Sequence, residues 1–387
     1  MADEQHASLE RSTGVAGAVL LGLGSILGTG VYVIVGLTTA EVGSWVLLAI
    51  AVGAFVATVN GLNSAQLAAA IPVSGGAYEY GYRLLNPTCG FVAGLMFMLA
   101  KCASAATAAL AIGKALNPND GTLPAIGLTI AMTAVVVMGL RRSNQVNASI
   151  LTITIAGLLS LIFSSNVSPI EISSDPSTFS LMEACALIFV AFTGYGRIAT
   201  MGEEIKEPRK NIPIAMIVTL LVSGLLYAGV SLAWLRGVQP GQLFTVAGFV
   251  ALIGVVLNLI LGLSRVLLAM ARRKDVAPAL AKLDKQQQPR RAILAVGAII
   301  AVLCLLGDIK LAWSFSACTV LIYYGILNLA ALRLSEDQRL YPRWLAYVGL
   351  ASCFFLAFWV TPVAVVVSIA CVAVGLFIRF FVRMMSH

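Results

Sequence analysis

Stretch after stretch of apolar residues, parted only by short charged or glycine- and proline-bearing connectors, is what most constrains this chain. An α-helix rises 1.5 Å per residue, so ~20 apolar residues cross the ~30 Å hydrocarbon core of a bilayer. Twelve segments of that kind can be drawn, at about 15–37, 43–70, 88–113, 123–140, 146–165, 179–202, 212–235, 244–270, 292–306, 310–332, 344–361 and 363–384. Only 11% of the 387 residues are charged, against ~25% in a soluble domain, which excludes a water-soluble fold. The runs are continuous rather than alternating, which argues against a β-barrel. The expected class is an all-α polytopic membrane protein.

The basic residues orient it. If both termini are cytoplasmic, nineteen Lys and Arg face the cytoplasm and only Lys114, Arg236 and Lys310 face outward. That asymmetry is the positive-inside rule. The net charge of +8 is therefore a topology signal, and no nucleic-acid partner is expected. Residues 1–14 read as a cytoplasmic segment before an uncleaved first helix. The two histidines, His6 and His387, stand at the chain ends, and the seven cysteines lack metal-ligand spacing; no cofactor is expected. Segment 271–291 is readable either as a short interfacial helix or as a solvated connector, and 344–384 as two helices turning at Thr361–Pro362.

Two segments do not read as plain helix. The first span carries Gly22, Gly24, Gly28 and Gly30 within nine residues, each costing ~1 kcal/mol against alanine in a helix. Close helix packing is one explanation. The sixth span has a second irregular stretch, Phe189 to Arg197, that pairs glycines with Thr193. Interrupted segments at corresponding places in two halves point to a transporter site built on inverted repeats. The halves here would be 15–165 and 179–332, followed by 344–384. An opened segment frees N–H and C=O groups that hydrocarbon cannot satisfy, so such a segment must line a cavity. A resumed half-helix offers N–H donors to an anion and the preceding half offers carbonyls to a cation. An α-amino acid carries both charges on one carbon.

The stretches GLGSILGTGVY (22–32), IPVSGGAYEYGYR (71–83), RRSNQVN (141–147), AFTGYGRIATMGEEIKEPRKNIP (191–213) and LSRVLLAMARRKDVAP (263–278) together resemble the amino acid–polyamine–organocation (APC) superfamily. The resemblance implies a leucine-transporter-like fold of about 12 helices, with a 5+5 inverted repeat in which helices 1 and 6 are broken. It implies a substrate carboxylate on the N–H groups of Gly28, Thr29 and Gly30 with the Thr29 hydroxyl, and a substrate ammonium on carbonyls of Ile26, Val190 and Thr193. Phe189 and Phe192 are candidate side-chain contacts; Val190 stands where the family often has an aromatic gate. Arginine exchangers of the family carry a glutamate where this chain has Gly196. With no acid evident in the spans, a neutral amino acid is the expected cargo.

Sodium-independent relatives place a lysine in the fifth span, where this chain has Thr154. Three alternatives follow: sodium coupling, a coupling role moved to Lys101, or uncoupled exchange, with proton coupling or exchange preferred. Lys101 sits mid-span, where an ionisable residue is a functional hypothesis by default, and burial disfavours its ammonium. Glu79, Arg197, Glu203, Glu204 and Arg265 are candidate gating residues. The expected function is alternating-access transport across the cytoplasmic (inner) membrane, with an amino acid and the bilayer as partners and a homo-oligomer as a further option. A polyamine or organic-cation carrier, a channel or receptor, and a membrane enzyme are the competing readings.

Overall fold

The computed structural model describes residues 13–71, 75–139, 144–165, 175–200, 205–284 and 287–384. Among them there is no strand, only an isolated bridge between Thr13 and Ile205. The helices are α1 (Val15–Ile26), α2 (Val35–Val42), α3 (Val46–Ala70), α4 (Ala77–Leu84), α5 (Pro87–Leu116), α6 (Thr122–Val137), α7 (Asn144–Ile162), α8 (Thr178–Phe192), α9 (Gly196–Thr200), α10 (Pro208–Leu235), α11 (Gln242–Arg272), α12 (Arg290–Cys304), α13 (Ile309–Leu332), α14 (Arg343–Phe358) and α15 (Pro362–Met384). Eight helical stretches among the described residues are long and apolar enough to cross a bilayer; Val15–Ile26, Thr122–Val137 and Arg343–Phe358 are shorter apolar helices.

Local chemistry sets the ends. Asn86 caps α5, accepting from the Cys89 N–H at 2.8 Å, and Pro87 follows where a missing N–H costs nothing. Asp308 caps α13 in the same way through Leu311 N–H at 2.6 Å. Between α2 and α3 the chain reverses at Gly43, whose φ of 55° is open to glycine at little cost. The last two helices meet at Thr361–Pro362 as two separate elements. Between α11 and α12 the described residues are connector apart from a tight turn at Pro278–Ala281.

Helices α5 and α13 form the centre and are apolar on nearly every side, with Ala100, Cys102, Ala103, Ala317 and Val320 all buried. By contrast α15 exposes Val366, Ile369, Phe377 and Phe380, the surface expected to meet lipid. A polar ladder ties α3, α13 and α14 together. Asn63 Nδ2 donates to Asn328 Oδ1 at 2.9 Å and Asn328 Nδ2 to Asn60 Oδ1 at 2.8 Å, while Gln66 Nε2 donates to Asn63 Oδ1 at 2.9 Å. Gly349 of α14 lies against Asn328.

An interhelical hydrogen bond in a membrane protein contributes only ~0.6 kcal/mol on average, but stranding a buried polar group costs ~1–3 kcal/mol. The second effect dominates in a ladder with shared members. Asn328→Leu leaves Asn63 Nδ2 with only the Leu345 carbonyl and Asn60 Oδ1 with only the weak Cys353 thiol donor, and is expected to destabilise the protein by about 1–2 kcal/mol, read as a lower unfolding temperature in detergent.

Candidate functional site

The first span breaks between α1 and α2. Leu27 takes φ −79° and ψ 79°, and the Gly28 N–H donates to the Ile26 carbonyl at 2.9 Å. This is an inverse γ-turn, which swivels the chain out of the helix without leaving that donor unpaired. The helix resumes at Thr29 and runs through a wider, π-type turn at Gly30–Ile34 before α2. The Gly28 N–H expected to receive a carboxylate is thus engaged with Ile26. The N–H groups of Thr29 and Gly30 stand in the first turn of the resumed helix, where a helix leaves its donors without intrahelical partners.

The sixth span differs from expectation. It does not open: after α8 it tightens into a 3₁₀ turn at Thr193–Tyr195 and continues as α9. The Thr193 hydroxyl donates to the Val190 carbonyl at 2.8 Å, and the Thr193 N–H bonds the same oxygen. Tightening satisfies internally the carbonyls that an open segment would present.

The two irregular stretches touch. A Cβ on Gly194 would lie 2.5 Å from the Ser25 carbonyl carbon and 2.7 Å from Ile26 Cγ1, and one on Gly30 would lie 2.7 Å from Ala191 Cβ and 2.9 Å from the Tyr227 hydroxyl. Glycine at both places is what lets the backbones cross. Tyr227, of α10, donates to the Ala191 carbonyl at 2.8 Å and is 3.3 Å from that of Ile26. A carbonyl accepts two bonds, so Ile26 is filled by Gly28 and this long contact. The sequence reading missed Tyr227, because nothing around it differs from an ordinary apolar helix. Thr29 is buried at 3% exposure, and its hydroxyl has no partner among the described residues. Buried polar atoms are seldom left so.

The other residues expected at the site are placed as follows. Phe189 and Phe192 are buried, Phe189 against Tyr324 and Phe192 against Tyr227 with ring centroids 5.8 and 4.7 Å apart. Lys101 Nζ lies 3.4 Å from Thr193 Oγ1. Thr154 is buried on α7; its hydroxyl donates to Ile150 O at 2.7 Å and its carbonyl accepts from Tyr32 at 2.8 Å, which sets α7 against the resumed first helix. Arg197 and Arg265 are exposed although they lie in span-length helices, and the Arg197 guanidinium reaches toward Gly262, one turn from Arg265. Glu203 and Glu204 lie outside the described residues.

Ion pairs fasten the bundle at both ends. At one end Lys310 of α13 bridges Glu41 of α2 and Glu183 of α8, the latter at 2.8 Å, and Thr361 donates to Glu183 at 2.5 Å. The spans are therefore not free of acids, contrary to the sequence reading: Glu183 is 3% exposed within α8. It is tolerated there because the half-buried Lys310 and the Thr361 hydroxyl both engage its carboxylate. At the opposite end Glu79 pairs with Arg83 at 3.2 Å and with Arg273. Beside it Asp275, fully buried, accepts from Tyr78 at 2.8 Å, Tyr82 at 2.5 Å, Arg379 at 2.7 Å and Arg383 at 3.1 Å. Burial first, and the Asp275 carboxylate second, raise both phenols above their ordinary range, so both remain donors. Next to this hub a groove of about 660 Å³ runs past Leu84, Cys89, Leu329 and Arg333, away from the crossing of α1 and α8.

Gly194→Ala would drive a methyl group into the Ser25 carbonyl and is expected to destabilise the protein by about 1–3 kcal/mol. A methyl group added at Gly24 meets nothing within 4 Å, so Gly24→Ala is expected to be neutral or to stabilise by up to about 1 kcal/mol. Unfolding temperatures of the pair check the contact.

Comparison with known proteins accounts for this construction. The family described as "Amino acid permease" matches residues 17–240 and 240–386. An uncharacterized transporter of Mycobacterium tuberculosis (strain H37Rv) is 35% identical over 396 residues, covering 95% of this chain and 90% of that protein. The branched-chain amino acid permease of Bacillus subtilis is 28% identical over 433 residues, covering 96% and 93%. Human cationic amino acid transporter 4 is 26% identical over 388 residues, covering 86% of this chain and 61% of that protein. A broken first helix crossed by a glycine-bearing sixth span is thus found in a chain whose relatives carry solutes rather than transform them: it is a membrane transporter, not an enzyme, and it belongs to the amino acid permease family.

Proposed function

We propose that this permease is a secondary transporter that moves a neutral amino acid across the cytoplasmic membrane by alternating access, through a bundle of twelve crossings with both ends in the cytoplasm. The observation that carries the reading is the Thr29 hydroxyl, buried without a partner among the described residues at the first turn of the resumed helix. A carboxylate placed there would accept from it and from the Thr29 and Gly30 N–H groups, at the positive end of the helix dipole. The substrate ammonium would take Ile26 O by displacing the long Tyr227 contact of 3.3 Å. The Val190 carbonyl, already accepting twice from Thr193, contributes less than the resemblance implied.

Alternating access is supported by the contrast between the ends of the first and sixth helices. Their outer halves, α2 and α8, are held to α13 through Lys310, and Gly30 is packed on Ala191. On the other side of the break, Gly24, Ser25, Arg197 and Arg265 are exposed. With these residues exposed on that side, this arrangement is read as open toward the cytoplasm and closed outside. A neutral cargo is favoured because no described acid pairs with the crossing, and because the branched-chain permease aligns along almost the whole chain. Proton coupling or exchange remains preferred over sodium coupling, since the Thr154 hydroxyl is committed to Ile150 and Lys101 stands beside Thr193.

Uptake into proteoliposomes, with labelled leucine and with proton and sodium gradients imposed separately, tests the reading. Thr29→Val preserves shape and removes the hydroxyl; a lost hydrogen bond to a charged group is worth ~1.5–3 kcal/mol. Leucine affinity is therefore expected to fall about tenfold or more, with the unfolding temperature unchanged. Undiminished affinity would remove Thr29 from the site, and leucine uptake driven by sodium alone would reverse the coupling preference.

A further inference from the structure

Lys101 differs from every other described cation held within the bundle. Lys310 has two carboxylates and Arg379 has one, while Arg197 and Arg265 are exposed. Lys101 enters none of the ion pairs found among the described residues. Its one described hydrogen bond is the long 3.4 Å contact with Thr193 Oγ1, and that oxygen already donates to Val190. Around it stand uncharged groups: Phe97, one turn earlier on α5, lies edge-on to Tyr323, whose hydroxyl interacts with Thr193. The flanking Ala100, Cys102 and Ala103 are fully buried, yet Lys101 keeps partial exposure, as do Phe97 and Ser104 on the same face. The ammonium thus stands next to the turn of the sixth span, on the partly exposed face of α5, and Gly194, the residue after Thr193, touches Ser25 and Ile26 at the first break.

A bare positive charge at the rim of a binding site is a selectivity element whatever else it does. A neutral or anionic side chain can lie beside it. A cationic one must either bear the repulsion of two like charges in a medium of low dielectric or force the lysine to give up its proton. Discrimination of this kind works by penalising the wrong ligand rather than by gripping the right one. We infer that Lys101 is a specificity-determining residue whose ammonium keeps amino acids with cationic side chains out of this carrier. The inference rests on the proposed amino acid site and names the residue that sets its side-chain class. It also separates this chain from those of its relatives that are named cationic amino acid transporters.

Competition on the intact wild-type protein in proteoliposomes tests it first, using pairs matched in shape and differing in charge. Norleucine and citrulline are expected to inhibit labelled leucine uptake at least about thirtyfold better than lysine and arginine, respectively. Lys101→Gln is expected to narrow that ratio about tenfold, read as competition against labelled leucine binding to the purified protein so that any effect on coupling does not enter, and Lys101→Glu to gain binding of labelled arginine. Inhibition by lysine or arginine equal to that by the uncharged partner, in the wild type, overturns the inference without recourse to any variant. So does a Lys101→Gln protein whose leucine binding is displaced by arginine no better than in the wild type, since the charge would then be irrelevant to selection. Aspartate uptake exceeding that of leucine would support the filter and correct the cargo from neutral to anionic. A wild-type protein that moves no amino acid at all would instead overturn the transport reading on which the inference stands.

Discussion

Hydrocarbon offers no hydrogen bonds, so every peptide group that leaves a helix inside the bilayer must find a partner or face a cavity. The break at Leu27 obeys this constraint with a single bond, Gly28 N–H to Ile26 O, and the remainder of the site follows from it. Because the turn uses only one residue, the helix resumes almost at once, and Thr29 and Gly30 fall in its first turn, where donors are available. Tyr227 then reaches across from α10 to the two carbonyls nearest the crossing, Ile26 and Ala191. Tyrosine suits the position because its ring packs against Phe192 while its hydroxyl supplies the donor that lipid cannot.

The same constraint explains why the sixth span tightens where the first one opens. Both halves of the crossing cannot present unsatisfied carbonyls at once unless something polar lies between them, and here the gap is taken by direct contact at Gly194 and Gly30. A 3₁₀ turn lets Thr193–Tyr195 stay bonded while still bringing Gly194 against Ser25. Opening the turn further would expose Val190 O and Thr193 O together, which a bound ammonium could compensate.

The sequence made the bundle and the location of the crossing legible because both depend on local, cheap signals: the length of apolar runs and the cost of glycines in a helix. Gly28, Thr29, Gly30 and Thr193 could be singled out for that reason. The hubs at the two ends were not legible. Asp275 sits in a charged run that reads as a solvated connector, yet it is fully buried because Arg379, more than a hundred residues later, folds back onto it. Glu183 was overlooked for the converse reason: one acid near the start of an apolar span looks interfacial until Lys310 and Thr361 are placed beside it. Asn60, Asn63 and Asn328 likewise acquire meaning only as a set. Partnerships across hundreds of residues leave no periodic trace.

How the protein treats its cations at membrane depth is the strongest argument that the crossing is a working site. Burying a charge without compensation is costly enough that proteins pair it, hydrate it or neutralise it. Pairing serves Lys310 and Arg379, and Arg265 is exposed. Instead Lys101 is set among aromatic rings and hydroxyls, against the residue that precedes the contact between the two irregular spans. A cation held at membrane depth without a carboxylate, beside the contact of the two irregular spans, is the feature of this bundle that packing alone does not account for.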